Sequence, residues 1–269
     1  MKNNPVVLIT GASSGIGKAL ALRYAKAGYY LLLAARNESS LKEVQQLCEG
    51  QGVKAAFLQT DVSVEEDCKK LLQYCEAQFG RLDVLINNAG ISMRALFSEM
   101  SLSVFKKVME VNFNGCLYCT HYAMPLLLAS KGSIIGVSSI AGYRGLPART
   151  AYSASKFAMN GFLEALRSEL LNTGVHVLTA APGFTASNIR NVALDKDGNK
   201  QQESPRDEKK MMSAAEVADA IFEAQQSKRK TLVLTTEGRL SVWLNKWMSG
   251  TMDKVVFNHL AKEPDSPLK

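Results

Sequence analysis

The sequence predicts an α/β fold in which helices cover both faces of a parallel sheet of about seven strands. Short runs rich in β-branched residues alternate with helical patterns along the chain, an order that favours parallel sheets. Several of these runs are apolar throughout, as strands buried on both faces must be. With 269 residues and 46% hydrophobic content, the chain is long enough for one such domain, which we expect to span residues 1–269.

The predicted strands are separated by segments that carry helix signals. The strands are expected at residues 6–10, 30–35, 55–59, 84–86, 134–137, 175–180 and 231–235. A serine followed three residues later by a glutamate forms a capping box, which marks a helix start. Three such pairs are Ser40 with Glu43, Ser63 with Glu66, and Ser213 with Glu216. Helices therefore alternate with strands, as a doubly wound sheet requires.

The composition argues against a nucleic-acid partner and for a cytoplasmic location. The net charge of +7 is spread along the chain, with 20 basic and 15 acidic side chains in residues 1–199 and 12 and 10 in residues 200–269. No basic patch stands out. The apolar runs are far shorter than the roughly 20 residues of a membrane helix, and the first predicted strand follows Met1 too closely for a signal peptide. Five cysteines without framework spacing fit reduced thiols.

Two features that could suggest other chemistry have simpler interpretations. Cys116 and Cys119 form a single CxxC inside an apolar helical pattern, where packed thiols are the better interpretation. His176 stands within a predicted strand, away from its carboxyl end, and no partner would make it a base. We predict no metal site.

A glycine-rich turn follows the first predicted strand and leads into a helical pattern. The turn reads Gly11-Ala12-Ser13-Ser14-Gly15-Ile16-Gly17. Glycines allow the backbone to approach a pyrophosphate closely, and the N–H groups and positive dipole end of the following helix attract its charge. In an open parallel sheet the ligand lies outside the carboxyl ends of the strands. The turn therefore predicts a dinucleotide site at that edge.

A tyrosine and a lysine four residues apart follow the fifth predicted strand. If a helix begins near residue 151, Tyr152 and Lys156 lie one turn apart on one face. A phenol has an ordinary pKa of about 10, so a nearby positive charge is needed to favour its ionised form near neutral pH. Lys156 is placed to supply that charge. The alternative is an exposed pair on a helix surface, because the spacing alone is common.

Further motifs accompany this pair in a fixed order. Asn87-Asn88-Ala89-Gly90 follows the fourth predicted strand, and Ser139 stands thirteen residues before Tyr152. With the glycine-rich turn, these motifs make residues ~5–235 resemble the classical short-chain dehydrogenase/reductase family. The resemblance implies a Rossmann-type doubly wound fold, an oxidoreductase that acts on a carbonyl/alcohol pair, and a nicotinamide dinucleotide cofactor.

The resemblance also implies roles at the catalytic end of the site. Tyr152 would be the general acid for reduction and the base for oxidation, while Lys156 would hold the ribose hydroxyls and lower the pKa of the tyrosine. Ser139 would orient the carbonyl oxygen. Asn112, 27 residues before Ser139, would hold a water in a proton relay; its alternative is a satisfied polar group in the core. Besides Tyr152 and Lys156, the implied cofactor-binding residues are Gly11, Ser13, Ser14, Gly15, Ile16, Gly17, Arg36, Asp61, Val62, Asn88, Ala89, Gly90, Pro182, Gly183 and Thr185.

The end of the second predicted strand indicates the cofactor. An acidic residue about 20 positions beyond the glycines would bind the ribose 2′-hydroxyl, but Ala35 and Arg36 stand there. Family members with an arginine directly after this strand typically prefer NADP, so we expect NADP(H) rather than NAD(H). The alternative for Arg36 is a surface ion pair with Glu38. Asp61 is expected near the adenine ring or, alternatively, only in the turn before its helix.

The substrate end is less well defined. The candidate pocket residues are mostly apolar and predict a medium-sized hydrophobic ketone or alcohol: Ile91, Met93, Tyr143, Leu146, Phe184, Met211 and Met212. The polar connection over 188–212, with a turn at 195–200, is long enough to form a substrate lid. A nucleotide-binding sensor or scaffold with little turnover is the alternative function, although the complete set of Asn, Ser, Tyr and Lys argues against it.

The tail predicts a helical extension over residues 238–269. One helical face carries Leu240, Trp243, Leu244, Trp247 and Met248. Such a stripe normally packs on its own domain or on another subunit. Contact with a membrane surface is the alternative, for which Lys246 and Lys254 supply little charge.

An oligomer is also implied by the resemblance. Family members commonly pair through the long helices that correspond here to about 101–129 and 151–172, and a symmetric pair needs a self-complementary patch. These helices carry the apolar residues Phe105, Val108, Leu117, Phe157, Phe162 and Leu166. We therefore expect a homodimer or homotetramer.

Overall fold

The structure is a computed structural model that describes residues 4–186, 189–201 and 211–269. Within them, seven parallel strands form one sheet. The strands are β1 (Val6–Thr10), β2 (Tyr30–Ala35), β3 (Ala55–Gln59), β4 (Val84–Asn87), β5 (Ser133–Val137), β6 (His176–Ala181) and β7 (Thr231–Val233). Their order across the sheet is β3-β2-β1-β4-β5-β6-β7, which confirms the predicted doubly wound fold.

The described helices lie on both faces of the sheet. They are α1 (Gly15–Lys26), α2 (Glu38–Glu49), α3 (Glu65–Phe79), α4 (Leu102–Met109), α5 (Gly115–Ser130), α6 (Thr150–Glu169), α7 (Ala214–Gln226), α8 (Thr236–Trp247) and α9 (Ser249–Ala261). A π-helical turn, Glu110–Asn114, joins α4 to α5, and a 3₁₀ turn, Ile140–Gly142, follows β5. The helix predicted over 101–129 is therefore present but contains a π turn.

Two apolar cores form because successive strand residues point to opposite faces of the sheet. In β1, Val7 and Ile9 pack in the core that contains α1, α2 and α7. Val6 and Leu8 pack in the core that contains α3, α4, α5 and α6. Full burial of such a side chain contributes about 1.5–3 kcal/mol, which explains why the strand is apolar from Val6 to Ile9. The two cores hold the carboxyl ends of the strands at one edge.

Only one of the three predicted capping boxes forms. At α7, the hydroxyl of Ser213 accepts from the N–H of Glu216 at 3.2 Å, and the Glu216 carboxylate accepts from the N–H of Ser213 at 2.7 Å. At α2, the cap is Asn37 instead of Ser40, because the Asn37 amide oxygen accepts from the N–H of Ser40 at 3.0 Å. The prediction at Ser40 is therefore wrong.

The capping prediction at Ser63 is also wrong. The Ser63 hydroxyl donates to the carboxylate of Asp61 at 2.7 Å, and the Ser63 N–H donates to the same oxygen at 3.0 Å. A hydroxyl engaged with the preceding turn does not reach the helix start. α3 therefore begins at Glu65 after Val64, which offers no side-chain cap.

The tail is helical, as predicted, but it breaks between two helices at Met248, whose backbone is not helical (φ −135°, ψ 45°). Trp243 and Trp247 remain 58% and 76% exposed. On the predicted pairing helices, Phe157 is 46% exposed, whereas Val108 and Leu166 are buried in the core. Those two residues were wrongly assigned to a surface patch.

His176 and the cysteines take structural positions. His176 is the first residue of β6, at the amino end of the sheet, where its Nε2 donates to the carbonyl oxygen of Arg229 at 2.7 Å. Burial lowers the pKa of this histidine. All five cysteines are described, buried and free of disulfides, which agrees with the interpretation as packed thiols.

Part of the predicted lid, residues 188 and 202–210, lies outside the described residues. In the described part, the predicted turn forms: the Asp195 carboxylate accepts from the N–H groups of Asp197 and Asn199 at 2.9 and 2.8 Å. Leu194 joins this segment to the loop after β4, because its N–H donates to the carbonyl of Ser92 at 2.9 Å. No described helix combines the length and the apolar character needed to cross a membrane.

Candidate active site

A cavity of about 410 Å³ lies along the carboxyl ends of the strands. It extends from the glycine-rich turn and the end of β2 to the first turn of α6. The structure brings most predicted site residues to its wall: Gly11, Ser13, Ser14, Gly15, Ile16, Arg36, Asp61, Val62, Asn88, Ala89, Gly90, Ser139, Tyr152, Lys156, Pro182, Gly183 and Thr185. Gly17 and Asn112 are the two predicted residues that lie behind the wall.

The glycine-rich turn leaves no room for a side chain at Gly11 or Gly17. Gly11 has a left-handed backbone (φ +65°), and a Cβ there would lie 2.9 Å from the Cα of Ala89. A Cβ on Gly17 would lie 2.1 Å from the carbonyl oxygen of Gly11. Gly17 therefore supports the turn from inside α1 and does not contact the cavity.

The start of α1 is open to an anion. Its first turn contains no acidic residue, and the side chain of Ser14 makes no capping hydrogen bond. Because Ser14, Gly15 and Ile16 line the cavity, the first N–H groups and the positive end of the helix dipole remain available to a ligand there. The close backbone approach and these donors fit a dinucleotide pyrophosphate.

Thr10 and Asn88 join the glycine-rich turn to the loop after β4. The Thr10 hydroxyl accepts from the N–H groups of Asn88 and Ala89 at 3.0 and 3.1 Å. The side-chain amide of Asn88 donates to the carbonyl oxygens of Thr10 and Gly11 at 2.9 and 3.2 Å. These bonds satisfy buried polar groups and hold two cavity walls in a fixed relation.

The far end of the cavity carries Arg36 and Asp61. Arg36 is exposed at the cavity wall, and no ion pair among the described side chains joins it to Glu38. Burial acts to raise the pKa of Asp61, but the hydrogen bonds from Ser63 and the charges of Arg36 and Lys107 outweigh it and lower that pKa. Asp61 thus forms the turn and also lines the cavity, so it is not confined to the turn, and its contact with the adenine ring stays a prediction.

Lys156 is fully enclosed at the opposite end. It is 3% exposed, and its ammonium donates to the carbonyl oxygen of Val137 at 2.8 Å. Its Nζ lies 5.8 Å from the ring centre of Tyr152, so the two side chains share one face of α6 as predicted. Burial lowers the pKa of Lys156 to about 8, because the low-dielectric surroundings disfavour the charged form.

Tyr152 differs from the expectation in its titration. Burial raises the pKa of its phenol, while the Ser139 hydroxyl and the charges of Arg149 and Arg190 act in the opposite direction. The sequence predicted a pKa lowered by Lys156. That prediction fails here because burial has the larger effect and the acting positive groups are the two arginines. The phenol therefore stays protonated at neutral pH.

Asn112 lies behind the cavity, in the π turn between α4 and α5. Its amide oxygen accepts from the N–H of Ile91 at 2.8 Å, and its amide nitrogen donates to the Ile91 carbonyl and to the Ser155 hydroxyl, both at 2.9 Å. Ser155 in turn donates to the carbonyl oxygen of Tyr152 at 2.8 Å. Asn112 thus connects the loop after β4 to the first turn of α6, which contains Tyr152. π turns often occur at functional sites.

Three of the seven candidate substrate residues line the cavity: Ile91, Leu146 and Phe184. Met93 is instead buried in the core, where it bridges to Leu194. Met212 pairs with Thr185 and packs in the other core. Tyr143 and Met211 also lie off the cavity wall, so these four assignments are wrong.

Several wall residues were missed by sequence reasoning. Arg149, Ile189, Arg190 and Val192 line the cavity, and the charges of Arg149 and Arg190 act on Tyr152. Arg149 stands three residues before Tyr152, in a loop expected at this edge, which was a usable signal. The other three belong to the predicted lid, whose path could not be traced from the sequence.

The fold and the site define a dinucleotide-binding α/β protein with a serine, a tyrosine and a lysine at the end of its cavity. A sequence model described as short chain dehydrogenase matches residues 5–198. The chain belongs to this family.

Named relatives agree with this assignment. 11-beta-hydroxysteroid dehydrogenase-like 4A of Arabidopsis thaliana is 44% identical over 194 residues, which cover 71% of this chain and 64% of that protein. The chain thus spans less than two thirds of that relative. Dehydrogenase/reductase SDR family member 7B of Mus musculus is 33% identical over 273 residues, covering 98% of this chain and 83% of that protein.

A solved structure shares the fold. The alcohol dehydrogenase from the archaeon Thermococcus sibiricus, complexed with 5-hydroxy-NADP, is 27% identical with a TM-score of 0.72. The similarity covers 81% of this chain and 88% of that one. The sheet and its flanking helices are therefore those of a short-chain dehydrogenase.

Proposed function

We propose that this protein is an NADP(H)-dependent oxidoreductase that interconverts a carbonyl and an alcohol on an apolar small molecule. The observation that carries the proposal is a single cavity whose wall holds the glycine-rich turn and Arg36 at one end and Ser139, Tyr152 and Lys156 at the other. A nicotinamide dinucleotide that spanned this cavity would supply or accept the hydride beside Tyr152.

The chain's own residues handle the proton. The phenol of Tyr152 donates it to the carbonyl oxygen during reduction and accepts it during oxidation. Ser139 donates a hydrogen bond to the same oxygen and orients it. The raised pKa of Tyr152 keeps its proton in place at neutral pH, which favours the donor role. Oxidation needs the ionised phenol, so its rate should rise with pH.

Lys156 and Asn112 support this step. The ammonium of Lys156, fixed by Val137, is suited to bind the ribose hydroxyls of the cofactor. Asn112 holds Ser155, which contacts the backbone of Tyr152. The Asn112 amide is fully buried and hydrogen-bonded, which agrees with the alternative of a satisfied polar group in the core. Its role in holding a relay water stays a prediction.

The preference for NADP(H) is supported by Arg36. Its exposed guanidinium lies at the cavity wall directly after β2, where a carboxylate would otherwise repel a 2′-phosphate. Arginine binds phosphate through charge-assisted, bidentate hydrogen bonds. The 5-hydroxy-NADP complex of the Thermococcus sibiricus relative also supports it.

The apolar substrate is supported by Ile91, Leu146 and Phe184 on the wall of the cavity that also contains Tyr152. The name of the Arabidopsis relative, 11-beta-hydroxysteroid dehydrogenase-like 4A, makes a steroid-like ketone the first compound to test. We also propose that the described residues 189–192 belong to the predicted substrate lid, since Ile189 and Val192 line the cavity. Five buried, unpaired cysteines support a reducing compartment, for which we propose the cytoplasm.

The decisive experiment measures oxidation of NADPH and of NADH with a panel of steroid, retinoid and aliphatic ketones. We expect turnover with NADPH and an apolar ketone, and a kcat/KM at least about tenfold lower with NADH, the cost of losing one charge-assisted hydrogen bond. Tight NADPH binding without hydride transfer to any ketone would instead identify a nucleotide sensor.

A further inference from the structure

The loop between β5 and α6 is fastened to the C-terminal helices. The side-chain amide of Asn245 donates to the carbonyl oxygen of Tyr143 at 3.0 Å. The guanidinium of Arg144 donates to the amide oxygen of Asn245 at 2.9 Å and pairs with the carboxylate of Asp253. The segment that connects the serine to the tyrosine of the site is therefore held by α8 and α9.

A buried carboxylate beyond α9 reaches the end of this loop. The Glu263 side chain is 5% exposed, and it accepts from the guanidinium of Arg149 at 2.9 Å. The guanidinium of Arg94 lies 3.6 Å from the same oxygen and donates to the carbonyl of Pro264 at 2.7 Å. Both arginine side chains are nearly buried, at 13% and 10% exposed. A buried carboxylate is tolerated when cations compensate it. In return, the Glu263 carboxylate is the anion that holds both guanidinium groups in this cluster.

Arg149 lies at the junction of the cluster and the active site. It lines the cavity and immediately precedes α6. Its carbonyl oxygen accepts from the N–H of Ser153 at 2.9 Å and so closes the first turn of the helix. Tyr152 stands in that same turn. The preceding Ala148 has a left-handed backbone (φ 58°), a conformation that a residue with a side chain keeps only where its surroundings enforce it.

We propose that Glu263 is a positioning residue of the active site: by holding Arg149 it fixes the first turn of α6 and thereby the phenol of Tyr152. The inference rests on the proposed function. Glu263 lies beyond the region 5–198 matched by the family model, so the C-terminal segment adds a support that the shared region does not contain.

The direction of a titration shift separates positioning from a simple charge effect. The groups that face the Tyr152 phenol are the hydroxyl of Ser139 and the charges of Arg149 and Arg190, with Lys156 beside its ring. If Glu263 holds Arg149 in place, its loss lets this cation move away and raises the pKa of the phenol. If Glu263 acts only as a negative charge, its loss lowers that pKa.

The test compares Glu263→Gln, Arg149→Gln and the double variant with the wild type. Asp253→Asn is the matched control, because it removes the other ion pair between tail and loop, and its partner Arg144 does not line the cavity. The readouts are kcat, the pH profile of alcohol oxidation, the Kd for NADPH and the amide exchange of residues 149–153, which excludes Arg144, the partner that the control variant releases.

We expect Glu263→Gln to lower kcat by on the order of tenfold, since small misplacements of reacting groups are costly. In the pH profile of alcohol oxidation, the limb that reports ionisation of Tyr152 (the tyrosine limb) should move to higher pH, as in Arg149→Gln. The Kd for NADPH should stay within about twofold of the wild type. The double variant should be no worse than Arg149→Gln, because residues that act through each other are not additive. Asp253→Asn should keep both the limb and kcat.

The proposal would be overturned if the tyrosine limb of Glu263→Gln stays at the wild-type pH or moves to lower pH. Additive losses of kcat in the double variant would also overturn it. If Glu263→Gln does not fold, Arg149→Gln carries the test, since it removes the cation that Glu263 holds and leaves Glu263 its contact with Arg94; unchanged kcat and pH profile there also overturn the proposal. If the wild type reduces no carbonyl, the proposed function fails, and amide exchange decides separately. Faster exchange at 149–153 in Glu263→Gln but not in Asp253→Asn supports the positioning role, and equal exchange refutes it.

Discussion

The ammonium of Lys156 donates a hydrogen bond of 2.8 Å to the carbonyl oxygen of Val137, the last residue of β5. Both residues are buried, and burial lowers the pKa of the lysine from the usual 10.5 to about 8. A depressed pKa on a base means that the folded state disfavours its charged form. Lys156 therefore costs stability at neutral pH, where it is still charged.

Lys156→Met should consequently stabilise the protein and inactivate it. We expect a free energy of unfolding higher by about 1–3 kcal/mol at pH 7, less than the full pKa shift implies, because the Val137 carbonyl loses its donor. In the wild type, the folded state binds fewer protons than the unfolded state between pH 8 and 10.5. The wild-type free energy of unfolding therefore rises with pH in that window. The difference in stability between Lys156→Met and the wild type should become smaller there.

Urea unfolding at pH 7 and pH 9.5 measures this difference. A methionine variant that is less stable than the wild type at pH 7, or a gain that is the same at both pH values, would contradict the assignment of a strained buried charge.

Tyr152→Phe should abolish the reaction while keeping the cofactor. The phenol is the proposed proton donor, and a positioned acid contributes about 10²–10⁴-fold to rate, so kcat should fall by at least about 10²-fold. NADPH titration should give a Kd within about threefold of the wild type, since the ring remains. Tyr143→Phe is the control, because that side chain lies off the cavity wall. Full activity in Tyr152→Phe would remove the tyrosine from the mechanism.

Arg36→Ala should change cofactor choice. A hydrogen bond between an arginine and a phosphate is worth about 1.5–3 kcal/mol, less where solvent intrudes, so the Kd for NADPH should rise on the order of tenfold or more. The Kd for NADH, which lacks the 2′-phosphate, should hardly change. Glu38→Ala should affect neither, since Glu38 forms no ion pair with Arg36 among the described residues. Equal losses for both cofactors would refute the role of Arg36.

Gly17→Ala should damage the nucleotide end of the cavity. Its Cβ would lie 2.1 Å from the carbonyl oxygen of Gly11, so the glycine-rich turn must shift and NADPH binding should weaken by at least about tenfold. Gly161→Ala is the control, because nothing lies within 4 Å of its Cβ and alanine favours an α-helix by roughly 0.5–1 kcal/mol. Normal NADPH affinity in Gly17→Ala would show that the turn tolerates a side chain.

The sequence could predict the strands of the sheet, its doubly wound class and the residues at its carboxyl edge because these depend on local pattern and on ordered motifs. β1, the glycine-rich turn and α1 are contiguous, and the residues after each parallel strand arrive at the same edge. Ser139 follows β5, and Tyr152 and Lys156 lie in α6, the next α-helix of the chain. Their meeting required no knowledge of distant contacts.

Other features could not be predicted because they depend on distant partners. Met93 was predicted to line the pocket, but it pairs with Leu194, about 100 residues later, and both are buried in the core. Arg149 owes its position to Glu263, 114 residues away, and no local pattern joins the two. The raised pKa of Tyr152 likewise follows from burial, which motif spacing does not measure.

The predicted dimer can be tested on α6. Phe157 is 46% exposed on this helix, and Leu128 is 42% exposed on α5, both on the helices expected to pair. Large exposed apolar side chains are often covered by a partner, and in a symmetric pair one patch meets its own copy. Phe157→Asp would place two desolvated carboxylates in such an interface, so it should convert the oligomer to monomers. Light scattering measures the mass directly. Leu47→Asp, at a 48% exposed position on α2, is the control and should keep the oligomer. A monomeric wild type, or an intact oligomer in Phe157→Asp, would exclude this interface.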